Sequence, residues 1–179
     1  MITDNHALLI HPEMFDSFWE IMTESFPENE RKSSEEYTKQ LRIEHFAIKL
    51  QTDASANIQG FIGYWQLEGR LFVEHFAVSS KYRNQGLGGA IFSRFLESTT
   101  LPVVLEVEPP LDELTKRRIS FYERFGFVLN SFHYLQPSYH PGGDAVELRL
   151  MTNDNELTEV QFRSMRDEIY KTVYNTTHV

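Results

Sequence analysis

The sequence predicts an α/β fold with a mixed sheet wrapped by helices, and two observations carry this prediction. Apolar runs of strand length alternate along the chain with stretches whose apolar residues recur at helical spacing. In addition, an apolar strand over about 71–78 leads into the glycine-punctuated loop Arg83-Asn84-Gln85-Gly86-Leu87-Gly88 and then into a helix. The chain has no repeat, low-complexity stretch or evident linker, so we expect one domain over 1–179.

The first part of the chain predicts one short strand and two helices. Residues 7–10 have strand character, and Pro12 then stands where a helix can begin. Apolar residues recur at helical spacing over 14–26, which predicts the first helix. The pattern Ser33-x-x-Glu36 has the form of a capping box, so we expect a second helix to begin there.

The rest of the chain predicts strands that alternate with helices. Glu68-Gly69 favours a tight hairpin between the second and third strands, and Gly126 suits the residue that follows a helix end. The predicted strands are 45–50, 58–66, 71–78, 102–107, 127–135 and 145–150. The predicted helices are 88–97, 112–125 and 157–174, and the last carries a buried stripe of Met165, Ile169 and Val173.

Composition and charge argue against several classes of function. The formal net charge is −9, which disfavours non-specific binding to nucleic acid because such binding rests on Lys and Arg. The chain has no cysteine, which excludes thiol nucleophiles, thiolate metal sites and disulfides. No apolar run is long enough to span a bilayer, and the first residues lack the basic region of a signal peptide. We therefore expect a cytoplasmic enzyme that has no membrane partner.

The glycine-punctuated loop is the strongest functional signal in the chain. Its form is Arg-x-x-Gly-x-Gly, at Arg83, Gly86 and Gly88, and it precedes a predicted helix. Backbone N–H groups of such a loop can point toward one anion, and the glycines let a pyrophosphate approach the backbone. A tight connection without any ligand is the alternative interpretation of the same glycines.

The order of motifs resembles a known family. The apolar strand 102–107 precedes a helical stretch that ends Phe121-Tyr122-Glu123-Arg124-Phe125-Gly126-Phe127. A strand, an Arg-x-x-Gly-x-Gly loop, a helix, a strand and a helix ending in Tyr-x-x-x-Gly-Phe together resemble the GCN5-related N-acetyltransferase (GNAT) family. The resemblance covers roughly 58–151. It implies a GNAT-type, mostly antiparallel sheet wrapped by helices, with 155–175 as an extra C-terminal helix that packs or dimerises.

The resemblance implies acetyl-coenzyme A as the cosubstrate. Backbone N–H groups of the loop would bind its pyrophosphate, and the strand before the loop would pair with its pantetheine arm. Arg83 would contact a phosphate, although a solvated charge is the alternative there. The implied coenzyme-binding residues are Phe76, Ala77, Val78, Arg83, Asn84, Gln85, Gly86, Leu87, Gly88 and Gly89.

Acetyl transfer to an amine needs an acid for the leaving thiolate and a base for the amine. Tyr122 matches the tyrosine that many family members use as the general acid, with a core aromatic as the alternative. Glu106, in Leu-Glu-Val, matches the base of the ribosomal-protein N-terminal acetyltransferase branch, and a carboxylate facing into an apolar strand suits this role. Glu74 is the rival base, and Glu108 would bind the amine; each could instead be a solvent-facing acid.

The chain departs from the family pattern in the helix that carries this tyrosine. Thr115 and Arg118 stand where many members have asparagine and alanine, which puts the hydrogen bonding at the helix start in doubt. The run Lys116-Arg117-Arg118 either reaches the ribose phosphate of the coenzyme or forms a solvated face. The histidines form no ligand-spaced cluster, so we expect no metal.

The resulting expectation is an N-acetyltransferase that moves acetyl from acetyl-coenzyme A to a primary amine by direct attack in a ternary complex. The acceptor is either a small molecule or a peptide, and the family resemblance implies that a homodimer can form. A non-catalytic module that binds coenzyme A, as a sensor or partner subunit, is the alternative. A protein that binds ATP or GTP is less consistent with the loop, which lacks the Gly-Lys-Ser/Thr ending of a P-loop.

Overall fold

A computed structural model describes residues 4–177 and confirms the α/β class, with a mostly antiparallel sheet, flanking helices and a helix near the C-terminus. The chain forms two compact units. The first unit contains the residues up to Gln66 together with Val73–Thr100, and the second contains Leu67–Phe72 and the residues from Leu101 onward. The expectation that 1–179 is one domain stays a prediction.

The first unit combines helices with three strands. Its strands are β1 (Phe46–Thr52), β2 (Ile58–Leu67) and β3 (Arg70–Val78), of which the ends of β2 and β3 nearest their connection belong to the second unit. Its helices are α1 (Asn5–Ile10), α2 (Pro12–Ser25), α3 (Ser34–Gln40) and α4 (Leu87–Glu97). β2 lies between β1 and β3, and β1 pairs with it antiparallel, with Phe46 opposite Trp65.

The strand predicted over 7–10 is wrong, because these residues belong to α1. Backbone groups at the edge of β1 already form hydrogen bonds with Asp4 and Asn5, at the start of the helix. Asp4 donates its N–H to the Ile48 carbonyl at 2.9 Å and accepts the Leu50 N–H at 2.6 Å through Oδ2. Asn5 accepts the Ile48 N–H at 2.7 Å. A further strand has nothing left to pair with there, and the chain turns into a helix instead.

Aromatic side chains build the core of the first unit. Phe18 on α2 meets Phe61 on β2 edge-on at 4.7 Å, and Tyr37 on α3 meets Phe46 edge-on at 5.7 Å. These four residues are almost fully buried. The capping box predicted at the start of α3 is confirmed.

The second unit is built around a central strand. Its strands are β4 (Val103–Val107), β5 (Val128–Leu129), β6 (Tyr134–Gln136) and β7 (Val146–Thr152), and its helices are α5 (Glu113–Glu123) and α6 (Glu159–Thr172). β7 pairs antiparallel with β4, with β5 and with β6. In the register of the first pair, Glu106 stands opposite Leu150.

The strand predicted over 127–135 is interrupted, and buried Asn130 explains the break. Its amide donates to the Leu150 carbonyl and to Thr152 Oγ1, both at 3.2 Å, and its Oδ1 accepts the Leu157 N–H at 2.8 Å. The side chain therefore bridges β7 to the segment before α6. These side-chain hydrogen bonds replace the hydrogen bonds of a continued strand.

α6 packs through the face that its apolar spacing predicts. Met165, Ile169 and Val173 are buried, which confirms the predicted stripe. Thr158 and Gln161 form a capping box at its start. Within residues 4–177, no helix is long and apolar enough to cross a membrane.

Candidate active site

The glycine-punctuated loop leads directly into the first turn of α4. After a 3₁₀ turn over Ser80–Tyr82, Asn84 takes a left-handed conformation with φ 61°, and Gly86 does so with φ 76°. Gly86 is the N-cap of α4, and a residue with a Cβ would be strained in this conformation. The turn that begins the helix therefore explains the glycine at this position.

Backbone N–H groups along this loop face open space. In the described part of the chain, residues 84–89 donate none of their backbone N–H groups to another residue, and the first helical bond runs from the Ala90 N–H to the Gly86 carbonyl. The first turn of a helix leaves such donors free and carries the positive end of its dipole. A Cβ added at Gly89 would meet nothing within 4 Å, and one at Gly88 would meet Val78 Cγ2 at 3.6 Å. The loop can therefore bind an anion such as a diphosphate.

Arg83 is engaged by residues around the loop. Its Nε donates to the Val78 carbonyl at 2.9 Å, and its Nη2 donates to Ser25 Oγ at 3.0 Å. Glu24 Oε1 lies 3.8 Å from the same Nη2 and also accepts the Ser80 N–H at 2.7 Å. A phosphate at Arg83 would compete with these contacts. The guanidinium holds the loop against the end of β3, and its contact with a phosphate stays a prediction.

The end of β3 offers packed side chains together with exposed backbone. Phe76 stacks on Phe92 of α4, with ring centroids 5.4 Å apart. A Cβ at Gly60 would lie 2.7 Å from the Ala77 carbonyl oxygen, so a glycine lets β2 approach β3 closely. Glu74 is partly exposed as a residue although its side chain is 0% exposed, so its backbone is open to solvent. Exposed strand backbone is what an extended ligand arm can pair with.

Glu74 is a buried carboxylate whose oxygens are well occupied. Its Oε2 accepts hydrogen bonds from Trp65 Nε1 at 2.8 Å and from Gln40 Nε2 at 2.6 Å. Its Oε1 lies 3.7 Å from Lys32 Nζ, which in turn donates to Gln40 Oε1. Lys32 also lies over the Trp65 ring, 5.4 Å from its centroid. These four side chains form a cluster that we call the Glu74 cluster.

The Glu74 cluster holds its carboxylate in the ionised form. Burial raises the pKa of Glu74, but the Lys32 ammonium and the bonds from Trp65 and Gln40 outweigh it, and the pKa lies below its ordinary value. A carboxylate with a lowered pKa and occupied oxygens is a poor proton acceptor. The arrangement suits a structural ion pair better than a general base.

Glu106 is surrounded by tyrosines instead. Tyr134 on β6 donates its hydroxyl to Glu106 Oε1, and Tyr174, just after α6, donates to Oε2 at 2.9 Å. Tyr139 stands beside this pair, with its hydroxyl oxygen 3.5 Å from that of Tyr174. We call Glu106, Tyr134, Tyr139 and Tyr174 the Glu106 cluster. Glu106, like Glu74, is partly exposed as a residue, but the groups that bond to it in this cluster are neutral hydroxyls rather than an ammonium.

Burial and the charge of Glu106 keep the tyrosines of this cluster protonated. Burial raises the pKa of Tyr134 well above its ordinary value, and the neighbouring Glu106 raises it further. The pKa of Tyr174 is raised well above its ordinary value for the same two reasons. Both hydroxyls are therefore neutral donors throughout the physiological pH range.

Tyr122 is a buried phenol on α5. Its ring meets Phe121 edge-on at 5.1 Å and lies 5.9 Å from Phe127. Burial raises the pKa of Tyr122 to about 12, although the charge of Arg118 opposes the shift. The hydroxyl therefore keeps its proton at neutral pH, which a general acid requires.

The start of α5 is capped by side chains other than the asparagine found in many family members. Thr115 donates its N–H to Asp112 Oδ1 at 2.8 Å, and Asp112 donates its N–H to Thr115 Oγ1 at 3.1 Å. This capping box supplies the hydrogen bonding that the sequence left in doubt. Farther along the helix, Arg118 forms an ion pair with Glu108. Glu108 is therefore already paired with a cation in the structure.

The histidines do not assemble a metal site in the described chain. His75 is 3% exposed, and its Nε2–H donates to the Glu30 carbonyl at 3.2 Å. Burial lowers the pKa of His75, so the imidazole is neutral at pH 7. His133 is exposed and lies 3.7 Å from Glu147. Over residues 4–177, no group of three or more His, Asp or Glu side chains is placed to hold a metal ion.

Sequence reasoning missed the partners of both glutamates. Gln40, Trp65 and Lys32 carry no motif, and only their three-dimensional meeting at Glu74 reveals them. Tyr174 lies 68 residues from Glu106 and is likewise unmarked by any local pattern. Five of the eight tyrosines lie in the second half of the chain, but that count does not indicate which of them meet Glu106.

Comparison with protein-family models finds an acetyltransferase (GNAT) domain over residues 44–129. Among curated proteins, the chain is 32% identical over 113 residues to YjbC of Bacillus subtilis (strain 168). That match covers 62% of this chain and 56% of the relative, so the chain spans just over half of the relative's length.

Comparison with solved structures agrees with the family model. A GNAT-family protein from Bacteroides thetaiotaomicron superposes with a TM-score of 0.86 at 34% identity, covering 92% of this chain and 94% of that one. An aminoglycoside 6'-N-acetyltransferase in complex with coenzyme A superposes with a TM-score of 0.57 at 16% identity, covering 79% and 91%. The second likeness is one of fold alone.

Proposed function

The chain belongs to the GNAT family of acetyltransferases, and from this premise we propose that it moves an acetyl group from acetyl-coenzyme A to a primary amine. In this proposal the amine attacks the thioester directly in a ternary complex. The acceptor is a small molecule or the N-terminus of a peptide. No metal takes part in the reaction.

The unpartnered amides of residues 84–89 are the observation that carries the proposal. They lie at the positive end of α4, where a diphosphate would find several donors and a favourable dipole. The pantetheine arm would pair with β3 at Phe76, Ala77 and Val78, as the family resemblance implies, and the exposed backbone at Glu74 lies next to this stretch of the strand. A structure of similar fold is a complex with coenzyme A, which agrees with this assignment.

The chemistry follows from the two side chains given catalytic roles. Glu106 takes a proton from the ammonium of the acceptor, directly or through a water molecule, and leaves a neutral amine. The amine nitrogen attacks the thioester carbon, a C–N bond forms, and the C–S bond then breaks. Tyr122 gives its proton to the departing thiolate, which leaves as the free thiol of coenzyme A. The attacking nitrogen loses its second proton to the Tyr122 phenolate or to water, so that a neutral amide is formed.

Glu106 is a better candidate for the base than Glu74. Its oxygens accept hydrogen bonds from neutral hydroxyls, whereas Glu74 lies beside the Lys32 ammonium and has a side chain that is 0% exposed. A base must be able to hold the proton that it removes, and the ammonium beside Glu74 lowers the pKa of that carboxylate. The difference in charged neighbours therefore favours Glu106.

The coenzyme site is tested by calorimetric titration with acetyl-coenzyme A. Gly86→Leu should weaken binding at least about 100-fold, because the side chain covers the amides and strains the turn. Gly69→Leu is a matched control, because Gly69 also has a positive φ and open space around it but lies in the β2–β3 turn. Equal binding by wild type and Gly86→Leu would overturn the coenzyme site.

The transfer itself is tested by thiol release from acetyl-coenzyme A across a panel of amines. The panel contains polyamines, amino acids, an aminoglycoside and short peptides with free N-termini. Release with one class establishes the enzyme and begins to identify its acceptor. Tight coenzyme binding with no release for any amine favours the alternative, a non-catalytic module that senses coenzyme A or serves a partner.

A further inference from the structure

We propose that Tyr174, in the segment following α6, and Tyr134 are positioning residues that orient the Glu106 carboxylate for catalysis. This inference rests on the proposed function, because it assigns a task to Glu106 in that reaction. It gives the extra C-terminal helix a role beyond packing. It also ties a residue near the end of the chain to the strand that carries the base.

The geometry of the Glu106 cluster is the first step of the argument. Each oxygen of the carboxylate accepts a hydroxyl from a different element, Oε1 from Tyr134 on β6 and Oε2 from Tyr174 after α6. Two donors on opposite oxygens fix the side-chain torsions of a glutamate, which would otherwise be free to rotate.

The second step is that Tyr174 is held firmly by its own surroundings. Tyr170, one turn earlier on α6, donates its hydroxyl to the Leu135 carbonyl, which docks the helix onto β6. Beyond the helix end, Asn175 has a φ of 52°, and Thr176 donates its N–H back to the Tyr170 carbonyl at 3.0 Å. The backbone on both sides of Tyr174 is therefore fixed, and its hydroxyl can hold Glu106 in one orientation.

The third step concerns which titratable groups act on Glu106. The tyrosines around it are Tyr134 from β6, Tyr139 from the loop after β6, and Tyr170 and Tyr174 from α6 and the residues after it. Each is neutral at physiological pH, so none of them adds a charge. A hydroxyl that donates to a carboxylate favours its ionised form.

Charged groups elsewhere on β4 and its partner strand are already paired. Glu108, two residues beyond Glu106, forms an ion pair with Arg118. Arg149 on β7, opposite Val107 in the register, contacts Glu147 at 3.0 Å. Two tyrosine hydroxyls bond directly to the Glu106 carboxylate, so removing one should be visible in the pH dependence of the reaction.

The experiment compares Tyr174→Phe with Tyr170→Phe. Tyr174→Phe removes the donor to Glu106 and should lower kcat about tenfold, with the KM for acetyl-coenzyme A unchanged. Loss of a donor disfavours the carboxylate, so the acidic limb of the kcat/KM profile should move up by about one pH unit. Tyr170→Phe removes the bond to Leu135 but leaves both donors to Glu106 in place, so it should move this limb much less than Tyr174→Phe does.

A merely structural role for Tyr174 predicts a different pattern. Both variants would then lower the melting temperature, and neither would move the acidic limb of the profile, which would overturn the proposal. Tyr134→Phe provides a second test of the proposal, because it removes the donor to the other carboxylate oxygen of Glu106. It should shift the limb in the same direction as Tyr174→Phe.

A titration without turnover separates failure of this inference from failure of the proposed function. The ionisation of the tyrosines is followed by absorbance near 295 nm in wild type and in Glu106→Gln. Removal of the negative charge should let part of the tyrosine signal appear at lower pH. If no amine supports turnover yet this shift occurs, the transferase proposal fails while the pairing in the Glu106 cluster stands. Identical curves would overturn the pairing itself.

Discussion

Two glutamates on strands, Glu74 and Glu106, differ in almost every physical respect except their ability to accept hydrogen bonds. Glu74 has an inaccessible side chain that meets a cation, an indole and an amide. Glu106 instead accepts hydrogen bonds from the phenol hydroxyls of Tyr134 and Tyr174, one on each oxygen. The first arrangement stabilises a permanent charge, and the second orients a carboxylate that can still exchange a proton.

The difference teaches that hydrogen bonding alone does not identify a base. A buried carboxylate beside an ammonium is costly to disrupt, because removal of one partner leaves the other charge unpaired. A partly exposed carboxylate held by neutral donors costs the fold less to lose. The comparison therefore predicts that substitution should damage stability at one glutamate and turnover at the other.

The largest effect is expected from Glu106→Gln. The amide keeps the shape of the side chain but cannot take a proton from the acceptor, so kcat should fall about 1,000-fold. The free energy of unfolding should change by less than about 1 kcal/mol, because one phenol can still donate to the amide oxygen and the other can accept from the amide NH2. Steady-state thiol release and urea unfolding measure the two quantities.

Glu108→Gln is the matched control for that substitution. Glu108 lies on the same strand, and its side chain is 44% exposed and paired with Arg118. Loss of an exposed pair costs little, so both activity and stability should stay close to wild type. A comparable loss of kcat in the two variants would contradict the assignment of Glu106 as the base.

The next effect in size is on stability, from Glu74→Gln. The variant leaves the Lys32 ammonium without its carboxylate and should reduce the free energy of unfolding by about 3 kcal/mol. The pKa of Glu74 in the folded protein is lowered from 4.5, so its contribution is complete above pH 4.5 and is lost as the pH falls through the folded-state value. Urea unfolding at pH 7 and pH 4 should therefore give a smaller difference at the lower pH.

An exposed pair again provides the control for Glu74. Glu147 contacts Arg149 at 3.0 Å with 51% of its side chain exposed, so Glu147→Gln should cost less than about 1 kcal/mol. The kcat of Glu74→Gln, measured on folded protein, should remain within about threefold of wild type if Glu106 is the base. A collapse of kcat at unchanged stability would instead make Glu74 the base.

A smaller loss is expected from Tyr122→Phe. Removal of the hydroxyl takes away the proton for the thiolate and should lower kcat about 30-fold. Because the ring remains, the packing against Phe121 and Phe127 is kept, and the affinity for acetyl-coenzyme A should be unchanged by calorimetry. Tyr64→Phe is the control, since Tyr64 is also a buried tyrosine whose burial raises its pKa to about 12. Equal rates in Tyr122→Phe and wild type would remove the acid assignment.

Local patterns in the sequence predicted the parts of the protein that depend on neighbouring residues. The loop before α4 follows from its glycines, and the start of α3 follows from Ser33 and Glu36. The break at Asn130 depends on the Leu150 carbonyl and Thr152, which lie far along the chain. No local rule predicts such a contact.

The sequence likewise predicted some features of the candidate site and not others. Glu74, Glu106 and Tyr122 could be nominated because each stands in a motif or an apolar strand. Their roles could not be ranked, because the ranking rests on Lys32 beside one glutamate and Tyr174 beside the other. Proton affinity is set by what surrounds a group, and the sequence alone does not say what meets in space.

The smallest effect tests the neighbour of Glu74 on β3. Burial lowers the pKa of His75 below its ordinary value of 6.5, so the unfolded chain takes up a proton that the folded protein resists. The contribution of His75 to the free energy of unfolding should therefore be constant above pH 6.5 and fall as the pH drops below 6.5. This fall begins at a higher pH than the loss of the contribution of Glu74. In His75→Gln this part of the slope between pH 7 and pH 5.5 should disappear, whereas in His133→Gln, whose ring is 64% exposed, it should remain. Parallel slopes in wild type and His75→Gln would mean that folding leaves the pKa of His75 unchanged and would contradict the prediction. A slope of the opposite sign in wild type alone would mean that His75 is protonated in the fold and adds a second cation beside Glu74, and the contrast with the neutral hydroxyls at Glu106 would then be stronger still.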